Sequence, residues 1–224
     1  MPLGNRCDPS GALHATPARG EWTGNRGSIH DPVTRSRLGR RWSTHAWICC
    51  SLSYKGQRRD VWGRNGGPGS AGAGWSELFF LDEVTALAAG HRPCFLCRRA
   101  AALDFQSGWQ SGLMGGRAAT PVRAPEMDAV LHRERWQSRR AAPEILSTDA
   151  LADLPDGTVV AAGSRWLALR EGAARAWSFS GYGAPEALND RAAGFDLPLR
   201  LVTPRAIIEV LRAGYQPGWH SSAA

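Results

Sequence analysis

The chain has 224 residues, of which 43% are hydrophobic, enough for one compact core or two smaller ones. The sequence predicts neither a signal peptide nor a membrane span, because its start carries Arg6 and Asp8 and its apolar runs are short. We therefore expect a cytoplasmic protein without a membrane partner. In that reducing setting the five cysteines are expected to be metal ligands, reactive thiols or buried residues, not disulfides.

The positive charge of the chain, +7 overall, is concentrated in residues 33–64. Against the single acid Asp60, this stretch has eight basic residues: Arg35, Arg37, Arg40, Arg41, Lys55, Arg58, Arg59 and Arg64. Its aromatic residues are Trp42, Trp47, Tyr54 and Trp62. Because cations neutralise phosphates and aromatic rings stack on bases, this composition favours nucleic acid as a partner. The alternative is a solvated basic face over core tryptophans.

The first part of the chain is predicted to build an antiparallel meander. Residues 1–32 are rich in Gly, Pro, Asn and Asp, and Cys7 is expected to lie in a mobile N-terminal segment. Residues 47–54 predict a strand that turns tightly back into a second strand at 58–62, which gives a basic, Trp-rich hairpin. A Gly-rich loop over 63–74 leads to a third strand at 75–81. No Gly-Lys-Ser/Thr sequence follows the glycines, which excludes a P-loop.

Helices are predicted on both sides of a cysteine pair. Asp82 is suited to cap a short helix, and Gly90 to end it in a left-handed conformation. A second helix is expected to begin near Cys97 and to continue through Phe105. Residues 108–125 predict a loop or linker.

After the linker the sequence predicts a second small α+β unit. Its expected elements are a helix from Pro125, strands at 158–162, 166–170 and 176–179, and a helix from Pro204 to Gly214. The expected fold class is therefore α+β. We divide the chain into a zinc-binding domain at 1–110, a linker at 111–125 and a second half at 126–224, to which no motif assigns a role.

Cys94 and Cys97 are the strongest functional signal in the sequence. Two thiolates separated by two residues can bind one metal ion, because the turn between them brings both sulfurs to one point. Zinc prefers such soft, tetrahedral surroundings. The alternative is a redox pair, but there the proline usually lies between the cysteines, whereas Pro93 precedes Cys94 here. The pattern favours zinc.

The residues around this pair resemble a known family. Phe79 and Phe80 precede a short helix, and Ala-Ala-Gly-His-Arg-Pro-Cys-Phe-Leu-Cys-Arg follows at residues 88–98. Over about 20 residues this is similar to the second half of the zinc-binding domain of Ada-type DNA methylphosphotriester repair proteins. The resemblance implies zinc and a link to DNA. It does not imply methyl transfer, because the Cys-x-x-x-Cys pair that supplies that family's other two ligands is absent.

A closed zinc site needs four protein ligands, so two more must come from elsewhere in the chain. The candidates are His30, His45, Cys49, Cys50 and His91. Alternate residues of a strand face opposite sides, and Cys50 shares its face with Ile48 and Leu52. If this aliphatic face turns inward, Cys50 points to the interior, where Cys94 and Cys97 are expected. In related zinc modules a Gly-Asn pair precedes a histidine, a pattern similar to Gly24 and Asn25 before His30. The predicted ligands are His30, Cys50, Cys94 and Cys97.

Each of the two added ligands has an alternative interpretation. Cys49 and Cys50 are also typical of small buried hydrophobic residues. His30, next to Asp31, also fits a surface turn. Cys7 is not expected to be a ligand, since it lies in the predicted mobile segment.

The expected function is binding of nucleic acid, or of protein complexes that act on it, with zinc fixing the fold. Phosphate contacts are expected from Arg35, Arg40, Arg41, Arg58, Arg59, Arg92, Arg98 and Arg99. One alternative is an enzyme acting on nucleic acid, either a zinc hydrolase or an acceptor of alkyl groups on a zinc-bound thiolate of Cys49 or Cys50. Another is a zinc-stabilised scaffold for a protein partner.

Catalytic motifs give little support to the enzyme alternative. The sequence contains no Gly-x-Ser-x-Gly, no His-Glu-x-x-His and no kinase-type set. The spacing of Asp128 and His132 places both on one helical face, and we expect an exposed pair there. The sequence thus favours binding over catalysis.

Overall fold

The computed structural model describes residues 1–56, 59–65, 74–116, 120–138, 145–188 and 198–224. Over these residues the chain forms five α-helices, two six-stranded sheets and a two-stranded ribbon, which confirms the predicted α+β class. The predicted phosphate contact Arg58 lies outside the described residues. Within the described ranges, no helix combines the length and the apolar character needed to cross a membrane.

The first sheet and its ribbon come from the N-terminal 93 residues. In chain order the elements are β1 (Arg6–Cys7), β2 (Leu13–His14), β3 (Trp22–Asn25), β4 (His30–Asp31), β5 (Ser36–Arg37), β6 (Ile48–Ser51), β7 (Leu78–Phe80), α1 (Glu83–Ala88) and β8 (Arg92–Pro93). The sheet order is β2-β1-β7-β3-β6-β8, and β4 pairs with β5. The β1–β7 and β6–β8 pairs are parallel, and the other pairs are antiparallel.

β3 is a central strand of this sheet. Gly24 pairs with Cys49 on one side and with Leu78 on the other. A Cβ atom at Gly24 would collide with the carbonyl oxygen of Ile48, so glycine is required for β6 to approach this closely. The prediction of a mobile N-terminal segment is wrong, because its residues pair into the sheet and Cys7 is buried on β1.

The predicted hairpin is also wrong. β6 pairs with β3 and β8, and residues 59–62 contain no strand. Trp62 lies in a turn with a φ of 58°, and its indole nitrogen donates to the carbonyl oxygen of Glu77 at 3.0 Å. β7 pairs with β3 and β1. Strands distant in sequence therefore occupy both edges of β6, which leaves no edge for a neighbouring hairpin strand.

Glycines that predict a loop lie inside a helix. α2 spans Arg99–Met114, so the predicted loop is wrong from Gly108 to the end of α2. A Cβ atom at Gly108 would lie 3.1 Å from the carbonyl oxygen of Val210, and one at Gly112 would collide with the same helix, α5 (Arg205–Arg212). These glycines therefore allow two helices to pack closely.

The second half of the chain follows the predicted pattern. Its elements are α3 (Ala124–Gln137), β9 (Ile145–Leu146), α4 (Thr148–Ala152), β10 (Val159–Ala162), β11 (Arg165–Arg170), β12 (Ala173–Ser178), β13 (Gly181–Ala187), β14 (Leu199–Leu201), α5, and a 3-10 helix at Ser221–Ala223. The sheet order is β13-β12-β11-β10-β14-β9. β10 to β13 form an antiparallel meander, which confirms the three predicted strands.

α1 joins the two halves of the molecule. All six of its residues are buried. Leu87 belongs to a hydrophobic cluster that includes Leu131 of α3, whereas Val84 belongs to a cluster that includes Val159 of β10. The two halves therefore share apolar clusters, and their division into separate domains stays a prediction.

Candidate metal centre

Three cysteines converge beside the first sheet. The sulfur atoms of Cys50, Cys94 and Cys97 lie within 4.8 Å of one another. Cys50 is on β6, and β8 runs parallel to β6 up to the residue before Cys94. The Cys94 N–H donates to the carbonyl oxygen of Cys49 at 3.0 Å, which extends the pairing to the cysteine pair. Strand pairing therefore brings Cys50 to the other two cysteines.

The turn between Cys94 and Cys97 has the geometry expected of a metal-binding turn. The Arg98 N–H donates to the carbonyl oxygen of Cys94 at 3.0 Å, which closes the turn. The Leu96 N–H donates to the Cys94 sulfur at 3.4 Å. The Ser51 hydroxyl donates to the carbonyl oxygen of Cys97 at 3.1 Å and so ties the turn to β6.

The local hydrogen bonds favour the thiolate form at two of the three cysteines. The pKa of Cys94 is lowered to about 5, because the Cys50 thiol and then the N–H groups of Cys97 and Leu96 donate to its sulfur. The pKa of Cys97 is lowered to about 7 by the Cys50 thiol and then by the Ser51 N–H. The pKa of Cys50 is raised, because its proton bridges to both neighbours. Thiolates are the form that binds metal.

The donor set fits zinc. With Zn–S bonds of about 2.3 Å, the sulfurs of a tetrahedral site are about 3.8 Å apart, which is compatible with the observed 4.8 Å limit. All five cysteines and all six histidines belong to the described residues, and no other one of them joins this group. From these residue types the fold therefore offers three ligands, and a tetrahedral ion takes a fourth.

A cavity of about 530 Å³ adjoins the three sulfurs, and all three cysteines line it. Its aromatic lining consists of Tyr54, Trp75 and Phe79. Leu52 and Leu96 also line it and are 53% and 70% exposed, so its entrance is apolar. The ion pair between Arg59 and Glu77 forms part of the wall. The polar residues Thr23, Asn25 and Ser51 line it as well, so a molecule that enters the cavity meets sulfur, aromatic rings and several polar groups.

His30 is not part of the metal group. Its Nδ1 lies 2.5 Å from the Ser76 hydroxyl and its Nε2 lies 3.4 Å from the carbonyl oxygen of Gly63. Its ring stacks on Trp62 with centroids 5.7 Å apart. The prediction of His30 as a ligand is wrong, because β4 directs the side chain to these partners and both ring nitrogens are occupied.

The remaining candidate ligands on the sheet side are buried elsewhere. Cys49 faces away from Cys50, as strand alternation predicts, and burial raises the pKa of its thiol. Cys7 is held in the sheet by β1, is buried and stands outside the metal group. His91 is fully buried, and its Nε2 accepts from Arg26 Nε at 3.2 Å.

Two arginines predicted to contact phosphate form buried ion pairs. Arg92 donates to both carboxylate oxygens of Asp128, at 2.8 and 2.7 Å. Arg98 donates to both oxygens of Glu83, each at 2.7 Å. The two arginine side chains are 6% and 8% exposed. A guanidinium held by two hydrogen bonds inside the protein is not presented to phosphate, so the structure corrects both assignments.

Three of the predicted phosphate contacts are exposed. Arg40 and Arg99 lie at the surface. Arg35 is exposed as well and forms a surface ion pair with Asp60 at 2.6 Å. These side chains are placed where a nucleic acid can reach them.

Arg41 and Arg59 are only partly exposed. Arg41 donates to the carbonyl oxygen of Ser10 at 3.0 Å. Arg59 pairs with Glu77 and lies 3.8 Å from the centre of the Trp75 ring. Arg59 therefore belongs to the cavity wall, although the sequence placed it on a hairpin.

The predicted exposed pair of Asp128 and His132 is wrong. Asp128 is 5% exposed and bonds to Arg92. The ring of His132 stacks on His45 with centroids 3.7 Å apart, and its pKa is lowered, first by burial and then by His45. Helical spacing predicted the shared face but did not indicate the arginine that arrives from β8.

Sequence reasoning missed one buried cation. Arg26 is completely buried and donates to the carbonyl oxygen of Gly11 at 2.9 Å. It follows Gly24 and Asn25, a pattern typical of turns, and no local signal shows that an arginine will be buried.

The chain matches no protein-family model, no curated protein and no solved structure. The resemblance of residues 79–98 to Ada-type repair domains therefore stays an expectation. The case for a function depends on the geometry described above.

Proposed function

We propose that this is a zinc-binding protein in which Cys50, Cys94 and Cys97 hold the metal and the fourth coordination position opens to the adjoining cavity. The observation that carries the proposal is the convergence of three thiols on a cavity that all three line. Zinc sites with four protein ligands are closed and structural, whereas sites with three keep a position for water or substrate. The donor count therefore supports a site that a ligand can reach.

The metal is also expected to stabilise the fold. A zinc ion bound by Cys50 on β6 and by the turn after β8 would join segments more than 40 residues apart in the sequence. Bound zinc would supply Lewis-acid activation of a coordinated water or substrate atom. The protein's own contribution is the apolar and aromatic cavity, with the Arg59–Glu77 pair as a polar contact. Together with the polar lining residues Thr23, Asn25 and Ser51, these surfaces suit a flat ligand that also has polar groups.

The ligand count can be tested by metal analysis of the purified protein and of alanine variants. We expect one zinc per chain in the wild type and a strong loss in C50A, C94A and C97A. H30A and C49A serve as matched controls and should keep the metal, because neither side chain reaches the site. Loss of zinc in H30A, or retention in C50A, would overturn the assigned ligand set.

The open position can be tested with the cobalt-substituted protein. Sulfur-to-cobalt absorption reports thiolate ligation, and the ligand-field bands respond to the fourth ligand. Imidazole added to this protein should shift the ligand-field bands and leave the charge-transfer intensity of the three thiolates unchanged. Bands that do not respond to imidazole would show a closed site and contradict the proposal.

Nucleic-acid binding is a second candidate function, and the exposed positions of Arg35, Arg40 and Arg99 favour it. Together with the net charge of +7 they give a surface that attracts polyanions. The zinc-loaded protein should bind single-stranded or duplex DNA with an affinity that falls as salt rises. No binding of any DNA or RNA form at low salt would exclude this candidate, without affecting the zinc proposal.

A further inference from the structure

Four arginines line a second cleft, separate from the metal cavity. The cleft has a volume of about 530 Å³, and its arginines are Arg26, Arg37, Arg40 and Arg41. Among the residues that the structure describes, the rest of the lining comes from the segments 11–13 and 38–39 and includes no acid. Arg37 and Arg40 are exposed, Arg41 is partly exposed, and Arg26 is completely buried. The cleft thus has cations both in its depth and at its surface.

Arg26 is held by neutral acceptors. Its guanidinium donates to the carbonyl oxygen of Gly11 at 2.9 Å, to His91 Nε2 at 3.2 Å and to the Cys7 sulfur at 2.9 Å. It also lies 4.0 Å from the centre of the Trp47 ring. The pKa of Cys7 is raised to about 11, chiefly by burial, so the thiol is neutral at physiological pH. The charge of Arg26 is therefore not balanced by these contacts.

Two of the guanidiniums converge at Gly11. A Cβ atom there would lie 2.9 Å from Arg41 Nη2 and 3.2 Å from Arg26 Nη2. Gly11 also has a φ of 80°, which favours glycine. The nearby carboxylate of Asp8 bonds instead to the Ser10 hydroxyl, the Ala12 N–H and the His14 ring. The fold thus brings like charges together, although a carboxylate lies close by.

The positive potential of this cluster acts on neighbouring groups. The pKa of His91 is lowered well below its usual value, first by burial and then by Arg26 and Arg135. The pKa of Arg135 is lowered to about 9, mainly by burial, and both Arg26 and Arg41 add to the lowering. Nearby sites therefore resist additional protons, and an anion near these arginines would be favoured.

We propose that this cleft binds phosphate groups, with Arg37, Arg40 and Arg41 as direct contacts and Arg26 as a buried charge beneath them. Guanidinium groups match phosphate because their planar N–H donors pair with two of its oxygens. A cleft that presents several guanidiniums also favours ligands that carry more than one negative charge. Phosphate carries that charge and has enough acceptors for all three exposed or partly exposed side chains.

The phosphate can come from a nucleic-acid backbone or from a small phosphorylated molecule. For the first source the inference depends on the nucleic-acid candidate, whereas the second is independent of it. For both sources, the inference of a phosphate-binding cleft is independent of the metal centre. The experiment therefore uses two probes, pyrophosphate and a short single-stranded DNA oligonucleotide.

The test is calorimetric titration of the zinc-loaded protein and of R37Q, R40Q and R200Q. Arg200 is an exposed arginine of β14 and serves as the matched control for loss of one charge. Each cleft variant should weaken binding of at least one probe by about tenfold, the value typical of one charged hydrogen bond. Its slope of log K against log salt should also fall by about one for the oligonucleotide. R200Q should change the affinity by less than about twofold.

The outcomes separate the two sources. Loss of pyrophosphate binding in R37Q and R40Q supports a small phosphorylated ligand, and loss of oligonucleotide binding supports a backbone contact. R99Q, at an exposed arginine outside the cleft, is titrated as a further variant. If R99Q weakens oligonucleotide binding and neither R37Q nor R40Q does, the cleft assignment is overturned and the nucleic-acid candidate remains intact. The cleft assignment would also be overturned if neither pyrophosphate nor the oligonucleotide bound to the wild-type protein at low salt.

Discussion

The metal centre and the arginine cleft each gather groups of one kind, but the chain assembles them in different ways. Cys94 and Cys97 are neighbours in sequence, and one strand pairing adds Cys50. The arginines of the cleft come from the residues between β3 and β4, from β5 and from the irregular residues after it. Two of them, Arg26 and Arg41, meet at Gly11. A local motif thus makes the first site, whereas tertiary folding alone makes the second.

The two sites also differ in how they can adjust their charge. The thiols can lose their protons, and hydrogen bonds from Cys50 lower the pKa values of Cys94 and Cys97. A guanidinium stays protonated, so the positive charge of the cleft is lowered only when an anion binds or when the arginine side chains move apart. We therefore expect the metal centre to control stability and the cleft to control binding.

The largest expected effect is the loss of a metal ligand. Structural zinc contributes about 12 kcal/mol in small zinc domains, so removal of one of the thiolates should weaken zinc binding by about a hundredfold or more. In C94A the thermal unfolding midpoint should fall by about 10 °C and no longer respond to EDTA. The wild-type midpoint should fall on addition of EDTA. Scanning calorimetry measures both.

C49A provides the control for this prediction, because Cys49 is buried on the same strand but faces away from the site. It should lose some packing energy and keep its response to EDTA. An unchanged EDTA response in C94A would show that the three sulfurs do not hold the stabilising metal.

The next largest effect is expected at the buried ion pair of Arg92 and Asp128. Here a guanidinium has a carboxylate partner, whereas the cleft gathers guanidiniums alone. Replacing Asp128 by Asn leaves a buried guanidinium without its carboxylate, and this should lower the free energy of unfolding by about 3–5 kcal/mol. Urea unfolding measures the loss. D104N, the same change at an exposed position, should alter stability by less than about 0.5 kcal/mol. Equal stability of both variants would mean that the pair is not structurally important.

Much of the fold was predictable from local patterns. The strands of the β10–β13 meander have tight turns, and α5 has a proline start, a buried stripe of Ile207 and Ile208 and a glycine end. Errors arose where distant segments decide the structure. The sequence of residues 58–62 predicts the second strand of a hairpin, but β6 pairs with β3 and β8. Glycines at 108 and 112 predicted a loop, but they serve helix contact.

The residues of the candidate site were likewise predictable only where local sequence determines their positions. Cys94 and Cys97 follow from their spacing, and strand alternation separates Cys50 from Cys49. The expectation that the face of Cys50 is the inward one is wrong, because Trp47 and Cys49 are buried on the other face, whereas Cys50 lines the cavity beside the exposed Leu52. His30 is predicted only from a resemblance to the Gly-Asn pattern of related zinc modules, and the sequence contains nothing that shows where β4 directs its side chain. Likewise Arg92 and Arg98 look the same in the sequence as the exposed Arg99, because only tertiary contacts supply their carboxylates.

A smaller effect is expected from His91, which lies beside the buried charge of Arg26. Its pKa is lowered in the folded state, so the unfolded chain binds the proton first as pH falls. The contribution of neutral His91 is complete above pH 6.5, and below it stability should fall by about 1.4 kcal/mol per pH unit until His91 itself is protonated.

H91Q tests this effect because glutamine can accept from Arg26 but does not titrate. Both proteins lose zinc in acid, so the difference between their unfolding free energies isolates the histidine. The two stability curves should be parallel above pH 7 and converge below 6.5. Curves that remain parallel down to pH 5 would contradict the assignment of His91 as a buried neutral group.

The smallest effect on stability is expected at Arg35, a surface arginine that belongs neither to the cleft nor to a buried ion pair. Arg35 and Asp60 form an ion pair whose side chains are 47% and 58% exposed. Water and salt screen such pairs, so R35Q should change the free energy of unfolding by less than about 1 kcal/mol. If Arg35 contacts phosphate, as the sequence predicts, the same variant should weaken oligonucleotide binding while pyrophosphate binding in the cleft stays unchanged. A parallel loss for both probes would instead show that the positive potential of the whole surface, and not the cleft, determines phosphate binding.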